Sequence, residues 1–212
     1  MLTRLSFAAA ILALLPAALA AQAPSTPTEK PAPRTVPVAM VTSAGTITLA
    51  LEVERAPVTA ANFLRYVDQK RLDGANFYRA FTYASDPKTG LIQGGTQGDP
   101  KRVLKPIAHE PTSQTGLTHD DGAISMARGQ PGSANGDFFI IMGGMPGLDA
   151  NPAAPGDNLG YAVFGHVTAG MDVVHTIAAM ERSATAGVGA MRGQMLAQPV
   201  KILTARRVVA GK

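Results

Sequence analysis

Val38, Met40, Ile47, Leu49 and Leu51 alternate with small or polar residues on either side of Ser43-Ala44-Gly45. Alternation with period two around a small-residue turn predicts an opening β-hairpin with one buried face. Pro57 then starts a helical period, with Phe63, Leu64 and Val67 on one face and Asn62, Arg65 and Asp68 on the other. Asp73-Gly74 closes it. Short strand-like runs follow from Phe77 to Tyr83, Leu91 to Gln93, Ala123 to Ala127, Phe138 to Met142 and Tyr161 to Val167, divided by Gly- and Pro-rich connections. A second helix fits Met171 to Met180, where Val173, Val174, Ile177 and Met180 share a face, and Val200 to Val209 reads as a closing strand. There is no internal repeat. Periodicity alone leaves a small β-barrel or a sandwich. Many short strands with helices only near the two ends suggest a closed antiparallel barrel with helical caps.

The N-terminus follows a different rule. Residues 1–20 have one charge, Arg4, then the apolar run Leu5 to Leu15, the breaker Pro16 and the small-x-small triplet Ala18-Leu19-Ala20. An apolar core of about 11 residues falls short of the ~20 a spanning helix needs. The pattern is that of a signal peptide cleaved after Ala20. Residues 21–37 place Pro24, Pro27, Pro31, Pro33 and Pro37 among Ser, Thr, Gln and Lys, and read as a proline-rich spacer. The expected organisation is a discarded address (1–20), a spacer (21–37) and one domain (38–212). No later run is apolar enough to span a membrane, so the mature chain is expected to be soluble outside the cytoplasm.

Composition removes several classes of function. With 46% apolar and 16% charged residues over 212 positions, the chain reads as globular. It has no cysteine, hence no disulfide framework, thiolate nucleophile, cysteine zinc site or lipid-modified N-terminal cysteine. The 19 Lys and Arg against 15 Asp and Glu are a thin, scattered excess, which argues against nucleic acid as a partner.

Four segments hold the chemistry: Asp73-Gly74-Ala75-Asn76-Phe77-Tyr78-Arg79, Ile92-Gln93-Gly94-Gly95, Gly122-Ala123-Ile124-Ser125-Met126-Ala127-Arg128 and Asp137-Phe138-Phe139-Ile140. Asn62-Phe63-Leu64-Arg65-Tyr66-Val67 precedes them; Val163-Phe164-Gly165 and Gly170-Met171-Asp172-Val173-Val174 follow. This ordered set, from about Val38 to Ile202, resembles the cyclophilins, a family of peptidyl-prolyl cis-trans isomerases, and looks most like their exported bacterial branch. The resemblance implies an eight-stranded antiparallel barrel capped by two helices, with a substrate groove on its outer surface and no cofactor or metal. It implies proline-containing unfolded or flexible polypeptides as partners, a monomer, and a periplasmic role in folding exported proteins.

The reaction explains what such a groove must contain. An X–Pro bond rotates over a barrier of about 20 kcal/mol, set by resonance between nitrogen and carbonyl. An apolar pocket for the ring, an anchor for the preceding carbonyl and a donor aimed at the imide nitrogen would lower it. That nitrogen turns pyramidal and basic only when the bond is twisted, so a hydrogen bond to it favours the transition state. Arginine, permanently charged and forked, suits the task. By resemblance, Arg79 is the catalytic arginine and Gln93 positions it and the substrate. Phe139 floors the proline pocket, and Leu91 and Tyr161 hold the ring. Ala127 and the backbone of Arg128 form the strand along which substrate lies. Phe77, Asp137 and Leu148 complete the groove, whereas Phe138 must face the core.

Departures from the family pattern set further expectations. Gly90 stands where a fuller groove has an aromatic wall, after an expected loop from Ala84 to Gly90. Asp137 replaces a glutamine and places a negative charge beside Arg79, to orient it or to compete for it. Gly147 replaces a tryptophan on which cyclosporin-type ligands lean, which predicts weak inhibition by them. Tyr161 stands in a histidine position. His109-Glu110 and His119-Asp120-Asp121 fit no common metal spacing, and His166 and His175 read as structural. Ser125 lacks a Gly-x-Ser-x-Gly elbow, and Gly94, Gly95 and Gly98 lack a phosphate-loop context. Ser183 to Pro199 reads as a long flexible insertion without a role. Two competing classes remain at this point: a proline-binding chaperone or scaffold with little turnover, and a structural barrel subunit.

Overall fold

A computed structural model describes residues 32–153 and 155–208; the leader and most of the spacer lie outside them. Eight strands close an antiparallel barrel: β1 (Val36–Thr42), β2 (Gly45–Leu51), β3 (Asn76–Tyr83), β4 (Asp86–Gly95), β5 (Ala123–Met126), β6 (Asp137–Met142), β7 (Ala162–Ala169) and β8 (Met195–Arg207). Their order around the barrel is β1-β2-β7-β5-β6-β4-β3-β8. Two helices were expected, and among the described residues three α-helices form: α1 (Pro57–Asp68), a single turn α2 (Thr112–Thr115) and α3 (Met171–Ala178).

The alternation in the first hairpin does what period two requires. Val38, Met40, Ile47, Leu49 and Leu51 are fully buried, and Val38 pairs with Leu49 and Met40 with Ile47. β1 starts at Val36, inside the stretch read as spacer, and Pro37 opposes Ala50 there. Phe138 faces inward as expected and stacks edge-to-face on Phe77 at 5.6 Å and on Phe63 of α1 at 5.3 Å, while Phe63 also meets Phe164 at 5.2 Å. Such aromatic pairs add about 0.5–1.5 kcal/mol each beyond their buried area. α3 buries Val174, Ile177 and Ala178, packing on β2, β3, β4 and β6.

Three departures from the pattern bear on the groove. Asn62, expected on the polar face of α1, is buried; its Nδ2 donates to the Asn135 carbonyl at 2.7 Å, tying the helix to the loop ahead of β6. The loop expected from Ala84 to Gly90 is instead mostly strand. Tyr83 opposes Asp86 across a two-residue turn, and the excess residues form an irregularity before Gly90 meets Thr82. Glu110 is engaged by α1: its buried carboxylate accepts from the Val58 and Thr59 amides at 3.1 and 2.7 Å and from the Thr59 hydroxyl at 2.6 Å. It serves α1 as a cap from 51 residues away, satisfying donors that the helix leaves free.

Candidate active site

Strict alternation in β3 would place Phe77 and Arg79 on the same face. The pairing breaks it: Phe77 opposes Gly94 and Arg79 opposes Gln93, so Tyr78 is an extra residue. A β-bulge of this kind resets inside and outside. Phe77 is fully buried in the barrel and does not reach the groove, which corrects its expected place in substrate binding. Tyr78 and Arg79 both turn to the outer surface, and β3 then presents Phe81, opposite Leu91, on the same face as Arg79.

Arg79 opens into a cleft of about 600 Å³. The other expected residues, Gln93, Leu91, Ala127, Arg128, Asp137, Phe139, Leu148 and Tyr161, all line it. Register explains the core of this set. Gln93 on β4 faces Arg79 on one side and Phe139 on the other, so the arginine, the glutamine and the aromatic floor form one row across three strands. Phe139 meets Tyr161 edge-to-face at 5.3 Å, and the Tyr161 amide donates to the Leu148 carbonyl at 2.9 Å.

The Arg79 guanidinium is held entirely by neutral acceptors. Its Nη1 donates to Gln93 Oε1 at 2.6 Å, and its Nε and Nη2 donate to Gln194 Oε1 at 2.9 and 2.6 Å. Gln93 is fixed in turn, its Nε2 donating to the Tyr78 hydroxyl at 2.8 Å. Burial pulls the Arg79 pKa down, but arginine starts so high that the group stays a cation at neutral pH. Among the described residues no carboxylate pairs with it. Its charge is therefore partly desolvated, oriented and not cancelled, a condition that strengthens a fixed donor's action on developing charge.

Asp137 neither orients nor competes for Arg79. Its Oδ1 accepts from the Gln97 amide at 2.8 Å, and burial raises its pKa. Burial, with the Asp137 charge second, raises the Tyr78 phenol, which keeps that hydroxyl protonated beside Gln93. The Arg128 side chain is engaged by the loop that follows it in the groove wall. It binds Asp157 at 2.7 and 2.9 Å and the Gly160 carbonyl at 2.9 Å, and its guanidinium lies 5.2 Å from the Tyr161 ring centre. It braces the loop that supplies Tyr161.

Gly90 is not a missing wall. A Cβ there would lie 2.0 Å from the Phe81 carbonyl oxygen, so β3 approaches too closely for any side chain. Phe81, from the neighbouring strand, supplies an aromatic surface to the cleft instead. At Gly147 a Cβ would meet no atom of the described residues within 4 Å, so the backbone leaves open space where the resemblance expects a tryptophan.

Ser125, His119 and Asp149 are in line like a hydrolytic triad: His119 Nδ1 lies 2.6 Å from Asp149 Oδ1, and its Nε2 3.0 Å from Ser125 Oγ. Ser125 is completely buried and His119 nearly so, and the imidazole stacks on Phe139 at 6.0 Å and 11°. A nucleophile sealed beneath the pocket floor meets no substrate; the triplet supports Phe139. His109 Nε2 lies 3.1 Å from the Leu159 carbonyl oxygen, and among the described residues no group of three His, Asp or Glu is placed to hold a metal.

The groove has a wall that sequence reasoning missed. Ser183 to Gln194 is a braced loop, not a flexible insertion. The Ser183 amide bonds the Met195 carbonyl, Gly193 bonds Ala186 and Ala197 bonds Glu181. Ala190, Met191 and Gln194 line the cleft. Gln194 lies 115 residues from Arg79, in a stretch Met191-Arg192-Gly193-Gln194-Met195 that matches no motif, so no local signal marked it. Phe81 did have a signal: it is two residues beyond Arg79 on one strand.

Comparison with known proteins agrees with this geometry. A family model described as cyclophilin type peptidyl-prolyl cis-trans isomerase/CLD matches residues 37–207. The peptidyl-prolyl cis-trans isomerase cyp18 of Streptomyces antibioticus is 36% identical over 173 residues, covering 80% of this chain and 96% of its own. A peptidyl-prolyl cis-trans isomerase of Acinetobacter baylyi is 36% identical over 171 residues, covering 79% and 82%. Among solved structures, a cyclophilin type isomerase of Cryptosporidium parvum superposes with a TM-score of 0.66 at 18% identity, over 84% of this chain and 99% of its own. Barrel order, the row Arg79–Gln93–Phe139 and these matches lead to one conclusion: this chain belongs to the cyclophilin-type peptidyl-prolyl cis-trans isomerase family.

Proposed function

We propose that the chain catalyses rotation about X–Pro peptide bonds, with Arg79 as the donor to the twisted imide nitrogen. The observation that supports this most is the half-buried guanidinium held by two glutamines and, among the described residues, no carboxylate, beside a buried aromatic floor. The proline ring rests on Phe139 and Leu91, with Leu148 and Tyr161 at its edge. As the bond twists, the nitrogen lone pair leaves conjugation and accepts from Arg79, an interaction absent in the planar ground state. Ala127 and the Arg128 backbone take the chain around the proline, and Gln93 keeps Arg79 in place. No bond is made or broken.

The setting proposed for this activity is the periplasm, with unfolded exported proteins as clients and a monomeric enzyme. The leader pattern of residues 1–20, Arg4, an apolar run and Ala18-Leu19-Ala20, supports export, and both relatives described above are bacterial. Two measurements test the proposal. Exchange NMR on an Ala-Pro peptide should show catalysed cis–trans exchange with the full chain; binding without exchange would make it a proline-binding module. Cell fractionation should recover a protein whose N-terminus is Ala21 in the periplasm; recovery in the cytoplasm with Met1 intact would overturn export.

A further inference from the structure

We infer that Gln194, on the loop between α3 and β8, is the positioning residue that sets which edge Arg79 presents to substrate. The inference rests on the reading of Arg79 as the catalytic donor. A guanidinium has five N–H groups, one on Nε and two on each Nη. Gln194 Oε1 takes the Nε hydrogen and one from Nη2 at 2.9 and 2.6 Å, and Gln93 takes one from Nη1 at 2.6 Å. Two N–H groups remain, one on each Nη. With the Nε edge occupied, only the distal end of the guanidinium is left to meet an imide nitrogen.

Gln194 is itself fixed at both ends. Its backbone carbonyl accepts from Ala80, the residue after Arg79, at 2.9 Å, and its amide donates to Met191 at 3.1 Å. Its side-chain Nε2 donates to the Ala190 carbonyl at 2.8 Å. One side chain thus ties the Ala190–Met191 rim to the catalytic arginine. Glutamine also suits the position chemically. An Asp or Glu would hold the guanidinium more strongly but offset the charge that acts on the nitrogen, whereas an amide oxygen orients it without adding a negative charge. Gln93 and Gln194 follow the same rule on opposite edges.

The test uses the full chain with Gln194→Ala and the near-isosteric Gln194→Met, which keeps volume at the rim without a comparable acceptor. Turnover of an Ala-Pro peptide should fall roughly ten- to hundred-fold in kcat, the scale of one lost charge-assisted hydrogen bond, with KM within about two-fold of wild type. The Arg79 Nε–H resonance, protected in the wild type, should broaden into exchange in both variants and persist in Gln194→Glu, which keeps an acceptor. A backbone amide spectrum unchanged elsewhere separates this from unfolding. If wild type turns over and both variants match it, or if the Nε–H stays protected in Gln194→Met, the inference fails while Arg79 keeps its role. If wild type does not turn over, the underlying reading of Arg79 fails with it.

Discussion

At the scale of single residues, the site works by choosing neutral partners for a charged group. Arg79 is half-buried, yet its acceptors are the amide oxygens of Gln93 and Gln194. Three other arginines are met by carboxylates: Arg55 by Glu52, Arg128 by Asp157 and Arg206 by Asp73. Gly90 teaches a second lesson. In sequence it reads as a lost wall; in space its missing Cβ makes room for the Phe81 carbonyl. Gly90→Ala should therefore destabilise by about 1–3 kcal/mol, the cost of overpacking, and displace Phe81 from the cleft. Thermal unfolding checks the first expectation, and weaker proline-peptide binding the second. An unchanged melting temperature would mean that β3 yields without cost.

At the scale of elements, the sequence was readable where contacts are local and opaque where they are not. The β1–β2 hairpin and the apolar stripes of α1 and α3 follow from period alone. The bulge at Tyr78 does not, because it is set by the register of β3 against β4. That is why Phe77 was misplaced while Arg79 and Gln93, identified through the family motifs, were not. Ser183 to Gln194 looked unstructured because its order comes from backbone bonds to Ala80 and Met195 and from one side chain on Arg79. Helix α1 shows the same dependence on distant partners, since its N-terminal donors end on Glu110. Glu110→Ala leaves two amides and the Thr59 hydroxyl without that acceptor and should cost about 2–3 kcal/mol. A lower denaturant midpoint with an unchanged slope would bear this out; an unshifted midpoint would show that water replaces the carboxylate.

At the scale of the whole molecule, closure was the least legible feature. Periodicity allowed a sandwich, and only pairings such as β1 with β8, β2 with β7 and β5 with β6 decide for a barrel; the family motifs supplied that topology before the structure did. Global stability should also depend on a group beneath the site. Burial holds the His119 pKa below the usual imidazole value. The unfolded chain takes up a proton near pH 6.5 that the folded chain resists, so this contribution is complete above that pH and declines below it. The melting temperature should fall as pH drops below about 6.5, with a shallower slope in His119→Gln; equal slopes would contradict a neutral, buried His119. The central claim concerns Arg79, and one comparison reaches it most directly: the catalysed cis–trans exchange rate of an Ala-Pro peptide, by NMR, for wild type and Arg79→Ala at matched peptide occupancy. The account predicts exchange far faster than the tens to hundreds of seconds of the free peptide, reduced about a hundred-fold or more without Arg79. Equal rates in the two proteins would contradict it.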